Sequence, residues 1–195
     1  MVRVVAGLCA AVLALAACSS KADDPAPVST GAPGSVLTKI TEQQACDLLD
    51  SATIKKALDV EPGIRDSRRV GKAPITVTYM CNYHTGVPGL STDVATTRAD
   101  RSDKQVLDGA FTDRATENAA PGKYEQVPGV GVLAGFGPDA TMSGGGLTAH
   151  KLAVVFRAGS ERLALEVSVL GDATLAQLKP LALELVAKLQ AAIGK

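Results

Sequence analysis

The sequence contains no tryptophan and only three tyrosines and three phenylalanines among its 195 residues. Large stacking platforms for bases or sugars are therefore not expected, and the core must be built mainly from Val, Leu, Ile and Ala. An excess of one charge is missing too, since 20 Lys and Arg balance 20 Asp and Glu. A nucleic-acid surface needs a basic stripe, so no nucleic-acid partner is expected. The two histidines, His84 and His150, stand far apart with no ligand spacing around them, and neither a metal nor a cofactor is expected. The four cysteines form no Cys-x-x-Cys pair, which removes the usual redox motif.

What is present begins with address. Arg3 and the start amine make a small cationic head, Val4 to Ala17 run apolar, and Leu15-Ala16-Ala17-Cys18-Ser19-Ser20 follows. The apolar run is shorter than the roughly 20 residues of a spanning helix, and it reads as a secretory signal over residues 1–17. Its end looks like a bacterial lipobox, in which the Cys18 thiol takes a diacylglyceryl group and cleavage leaves an acylated amino terminus. Each buried methylene contributes about 0.8 kcal/mol, so palmitate-like chains on Cys18 would hold the protein to the cell membrane without a transmembrane helix. Residues 18–38, rich in Ser, Ala, Pro, Gly and Thr, cannot bury enough apolar surface to order themselves and read as a tether. The expected localisation is the extracytoplasmic face of the membrane. Loss of Arg3 with the signal leaves 19 basic against 20 acidic side chains, so the mature domain stays near neutral.

The remaining cysteines sort by compartment. Cys9 leaves with the signal and Cys18 is acylated, so Cys46 and Cys81 alone face an oxidising exterior, and any bridge must join them. It would close a loop of about 36 residues and contribute on the order of 4 kcal/mol in the chain-entropy account.

Residues 39–195 are expected to form one domain. Thr41 with Gln44 forms a capping-box pattern before Ala45, Leu48 and Leu49, and Asp50 or Ser51 can cap a second turn through Ile54, Ala57 and Leu58. Cys46 is thus helical. Arg65, Asp66, Arg68, Arg69 and Lys72 read as a charged loop, solvated or lying against anionic headgroups. From Ile75 the period becomes two, with Val77, Tyr79, Cys81 and Tyr83 on one face, and Leu90 to Arg98 make its hairpin partner. Ser102 caps a helix expected to reach about Ala115.

Gly129-x-Gly131-x-x-Ala134 matches a dinucleotide loop by letter, but that loop must open a helix, and Gly135-Phe136-Gly137-Pro138 would break one. A glycine-rich turn or bulged strand fits better. Ser143-Gly144-Gly145-Gly146 lacks the preceding glycine of a nucleophile elbow and reads as a loop tip. Leu152, Val154 and Phe156, then Leu163, Leu165, Val167 and Val169, alternate on either side of Ala158-Gly159-Ser160 and predict an antiparallel hairpin. A closing helix runs from an N-cap at Asp172 to about Ile193, kinked or divided at Pro180.

These elements predict an α+β fold: an antiparallel sheet of about five strands, helices mainly on one face, and one disulfide. Cys46-Asp47-Leu48-Leu49-Asp50, Cys81-Asn82-Tyr83, Val130-Gly131-Val132-Leu133-Ala134, the late hairpin and the Leu/Ala-rich last helix together resemble the actinobacterial small lipoproteins of the family called domain of unknown function 3558. The resemblance spans about Ala45 to Leu189 and implies a lipid-anchored envelope protein with a disulfide-stapled domain. It brings no catalytic residues. The expected function is a binding or interaction module for an envelope partner, not an enzyme. The alternative is a carrier or chaperone for a lipid or other apolar ligand, suggested by the wide stripe of the last helix. A hydrolase built on His84 or His150 as base is the remaining class.

Overall fold

The computed structural model describes residues 34–63, 65–70, 77–85, 89–112, 122–142 and 147–193. Segment 1–17, Cys18, the tether up to residue 33, Ile75, the 86–88 turn and the 143–146 loop lie outside them. Six strands of six to ten residues and a two-residue seventh form one antiparallel sheet: β1 (Arg65–Val70), β2 (Thr78–Tyr83), β3 (Gly89–Thr96), β4 (Glu125–Gln126), β5 (Leu133–Pro138), β6 (Ala149–Ala158) and β7 (Glu161–Leu170). Their order is β1-β2-β3-β7-β6-β5-β4. Four helices, α1 (Glu42–Asp47), α2 (Ser51–Leu58), α3 (Asp103–Ala110) and α4 (Leu175–Ile193), and a 3-10 helix (Val36–Lys39) complete it. No helix of the described residues is long and apolar enough to cross a membrane.

The α+β class and the bridge are as expected; the strand count is higher. Arg65–Val70 is an edge strand paired along its whole length with β2, not a loop. Charged side chains suit an edge, where they oppose further strand addition. The other added strand, β4, pairs only with Phe136 and Gly135 of β5.

Local chemistry explains the helix ends. Thr41 and Ser102 each make a complete capping box, with Gln44 and Gln105 reaching back to the cap N–H, and the Thr53 N–H donates to Asp50 Oδ1 at 2.8 Å. The α3 helix stops at Ala110, short of Ala115. At α4 the cap lies two residues later than Asp172: the Thr174 carbonyl accepts from the Gln177 and Leu178 N–H groups, while Asp172 accepts the Thr148 hydroxyl at 2.8 Å. Pro180 does not divide α4. It sits in the second turn on the exposed side, so the single carbonyl it orphans, that of Ala176, faces water.

The main core lies between one face of the sheet and the 3-10 helix, α1, α2 and α4. Tyr79, Cys81 and Tyr83 of β2, Leu152, Val154 and Phe156 of β6, and Leu163, Leu165 and Val167 of β7 are all buried there. The domain also starts earlier than residue 39. Leu37 is fully buried, the Val36 N–H donates to Glu161 Oε2 at 2.7 Å, and the Ser35 hydroxyl donates to Glu161 Oε1 at 3.0 Å. Ser35–Thr38 therefore belong to the folded body. A smaller cluster on the opposite face joins Leu107, Ala110 and Phe111 of the α3 segment to Ala153 and Val155 of β6.

The Gly129–Gly131 stretch is a turn leading into β5, as the sequence predicts. Gly131 has φ +61°, and a Cβ there would lie 2.5 Å from the Val155 carbonyl oxygen. Gly131→Ala is accordingly expected to cost about 2 kcal/mol from left-handed strain and steric contact. Urea denaturation checks this, and an unchanged midpoint would refute it.

Candidate functional site

On the face covered by α3, the period-two alternation of β6 brings Lys151 inward beside Ala153 and Val155. Only 2 % of its side chain is exposed, yet it lies between two carboxyl groups. Its Nζ lies 3.1 Å from Glu166 Oε2 on β7 and 3.4 Å from Asp139 Oδ1 just past β5, and 5.6 Å from the centre of the Phe111 ring. Asp139 is 1 % exposed, and its Oδ1 also accepts the Thr141 N–H at 3.0 Å and the Thr141 hydroxyl at 2.6 Å. Burial pushes the Asp139 carboxyl up, but the Thr141 hydroxyl, the charge of Lys151 and the Ser168 hydroxyl together hold it below the usual carboxylate value. In the register Lys151 faces Ser168, and Glu166 faces Asp93.

This arrangement limits the chemistry. A serine opposite a lysine is the composition of a Ser-Lys nucleophile, but Lys151 is held between two carboxylates and Ser168 is bonded to Asp139. The geometry is that of a closed ion-pair network tying β5, β6 and β7 in register.

Among the described residues, two open grooves lie at one end of the sheet. The first, about 390 Å³, lies along β4, β5 and β6 and is lined by Lys123, Tyr124, Glu125, Phe136, Pro138 and His150. The Phe136 and His150 rings are near-parallel, with centroids 5.8 Å apart, and His150 Nδ1 is 3.4 Å from the Gly171 carbonyl oxygen. Tyr124 is fixed by stacking on Phe111 at 4.6 Å and by donating its hydroxyl to Asp108 at 2.6 Å. Burial and then this carboxylate neighbour raise the Tyr124 phenol above its ordinary value, so it remains a hydrogen-bond donor. Gly135 permits the close approach: a Cβ there would lie 2.6 Å from the Tyr124 ring. The second groove, about 470 Å³, lies at the β2–β3 end and includes Asn82, His84, Leu90, Ser91, Met142 and Leu170.

The sequence-predicted residues fall as follows. Cys46 and Cys81 are bonded, with Cα atoms 5.5 Å apart, joining α1 to β2 inside the core. Cys18 lies outside the described residues. His84 and His150 line separate grooves, with β3 and β7 between their strands, roughly 14 Å at the usual interstrand spacing. They are not brought together. The α4 stripe is core: Leu178, Leu181, Ala182, Leu185, Leu189 and Ile193 are at most 2 % exposed, so these residues line no open cleft. Among the described residues, no group of three or more His, Cys, Asp and Glu side chains has the geometry to hold a metal ion.

The Lys151 network was not legible in the sequence: Ala153 and Val155 on the same face of β6 hint at cover, but the residues that cover it, Leu107, Ala110 and Phe111, come from a segment distant in the chain. Compared with models of known families and with curated proteins, the chain matches none.

Proposed function

We propose that this is a lipid-anchored cell-envelope protein whose domain is a binding or interaction module rather than an enzyme, held at the extracytoplasmic membrane surface by acyl chains on Cys18. One observation carries the reading: the chain joins the folded body at one end of the sheet, and the two open grooves lie at the other. Ser35 and Val36 are held by Glu161 at the start of β7, whereas the grooves lie around His150 and Leu170, almost a full ten-residue strand away, about 30 Å. A domain suspended from that point presents its grooves away from its anchor. The Cys46–Cys81 bridge supports an oxidising compartment, and the resemblance to envelope lipoproteins supports the address.

Two measurements test this. Cys18→Ser in the full-length chain is expected to move the protein from the membrane fraction to the soluble fraction; continued sedimentation with membranes would sink the anchor. Native mass spectrometry of the protein purified from its envelope is expected to show the domain without a bound lipid beyond the acyl chains of Cys18. A discrete additional mass that extracts into organic solvent would replace the module reading with the carrier.

A further inference from the structure

The end at which the chain joins the body is basic, and its cations come from four separate segments. Lys39 ends the 3-10 helix by which the chain joins the body and donates to the Ile193 carbonyl at 3.1 Å. Arg157 is the last residue but one of β6, Arg162 is the second of β7, and Arg98 and Arg101 lie between β3 and α3. Arg162 organises them. Its Nε donates to the Thr97 hydroxyl at 2.7 Å, one terminal nitrogen meets Asp103 Oδ1 at 3.1 Å, and the other donates to the Arg98 carbonyl. Asp103 is shared with Arg157, at 3.3 Å, and Asp100 accepts from Arg98 at 2.8 Å. Glu161 is occupied by Ser35 and Val36. Among the described residues named here, five cations thus face three carboxylates, and Lys39, Arg98, Arg101 and Arg157 are exposed.

Resting on the lipid-anchor reading, we propose that this end lies on the anionic phospholipid headgroups of the membrane that holds Cys18, with Arg98, Arg101 and Arg157 donating to phosphate oxygens. Two arguments converge on that occupant. Guanidinium forks match phosphate oxygens, and each cation close to an anionic leaflet favours the bound state about fivefold. The second is reach. Gly34 stands 16 positions after Cys18, and a Gly/Ser-like coil of that length has an r.m.s. span of about 22 Å. The basic end is thereby confined to within a few Debye lengths of the surface, where headgroups are the most concentrated anions available. The charged run at residues 65–72 that the sequence offered for this role is in part an edge strand, so the headgroup surface moves to the hairpin and loop ends beside Ser35.

The test uses the mature full-length protein reconstituted into phosphatidylcholine vesicles with and without phosphatidylglycerol, followed by hydrogen exchange. Amides of residues 97–102 and 157–162 are expected to exchange more slowly on the anionic vesicles. The protection should vanish at high salt and fall at least about tenfold in the R98Q/R101Q/R157Q variant, which leaves Arg162 and the core untouched. Unchanged exchange of β6 and α4 in that variant verifies its fold. Equal exchange in the two lipids, with acylation evident in the intact mass, overturns the proposal while the anchor stands. An unacylated mass refutes the anchor itself; vesicle sedimentation of that same protein then decides the headgroup proposal, which fails if binding to the two lipid compositions is equal.

Discussion

Replacing Lys151 with methionine is expected to destabilise the domain by about 3–5 kcal/mol, the usual result of removing one partner from a buried ion pair. The cost does not come from lost packing, since methionine nearly matches the aliphatic stem. It comes from Asp139, 1 % exposed, and Glu166, 18 % exposed, which lose the cation between them. The network makes a directional prediction with pH. In the native protein the Asp139 carboxyl is held below its ordinary value. A depressed acid contributes stability that is fully present above its unfolded value, near 3.8, and is lost as pH falls through the folded one. In Lys151→Met the burial that raises this carboxyl remains, while one of the influences lowering it is gone. The variant should therefore lose less stability on acidification than the native chain does. Urea denaturation at neutral pH and at pH values below about 3.8 measures both effects. A double replacement, Lys151→Met with Asp139→Asn, should recover part of the loss. The account fails if the single variant costs under about 1 kcal/mol, or if its acid dependence is as steep as the native one.

Removal of the Cys46–Cys81 bridge through paired alanine substitutions should cost about 2–5 kcal/mol. The bridge spans 35 positions and encloses α2 and β1. Breaking it frees the unfolded chain far more than it disturbs the native one, because both cysteines are at most 2 % exposed and sit in a packed core. For a domain of this size the change corresponds to a fall in melting temperature of about 10 °C. Thermal melts of the native and alanine proteins, with and without a thiol reductant, separate the two contributions: reductant should act on the native chain alone. A melting temperature unmoved by the alanine pair would contradict the assigned role.

The difference between what the sequence disclosed and what it concealed follows element by element. The starts of α1, α2 and α3 were legible because their determinants are local: Thr41 with Gln44, Asp50 with Thr53, and Ser102 with Gln105 each sit within three residues of their partners. At α4, by contrast, two candidate caps, Asp172 and Thr174, stand close together, and only the fold, which engages Asp172 with Thr148, selects Thr174. The β6–β7 hairpin was legible because burial on one face enforces alternation. The bridge followed from compartment and count. By contrast β1 has no apolar alternation, since Arg65, Asp66, Arg68 and Arg69 pair through their backbones along an edge, where side chains carry little pattern. The two residues of β4 are too few for any period. Ser35–Thr38 were assigned to the tether because their order depends on Glu161, 126 residues from Ser35. Lys151 was passed over for a related reason: a single strand states the alternation, but only the distant α3 decides that both of its faces are covered.

The grip of Glu161 on Ser35 and Val36 has a mechanical side. A pull applied to the N-terminal segment reaches the body at the first residue of β7, a central strand that pairs at eight positions with β3 and at ten with β6. Tension between that point and anything held in the grooves runs along the strand axes, so the ladders on both sides of β7 are loaded in shear and must yield together instead of peeling one bond at a time. Forced unfolding is governed by the barrier to such a concerted break, and a protein tugged between two attachments is strongest when the load falls along its central strand.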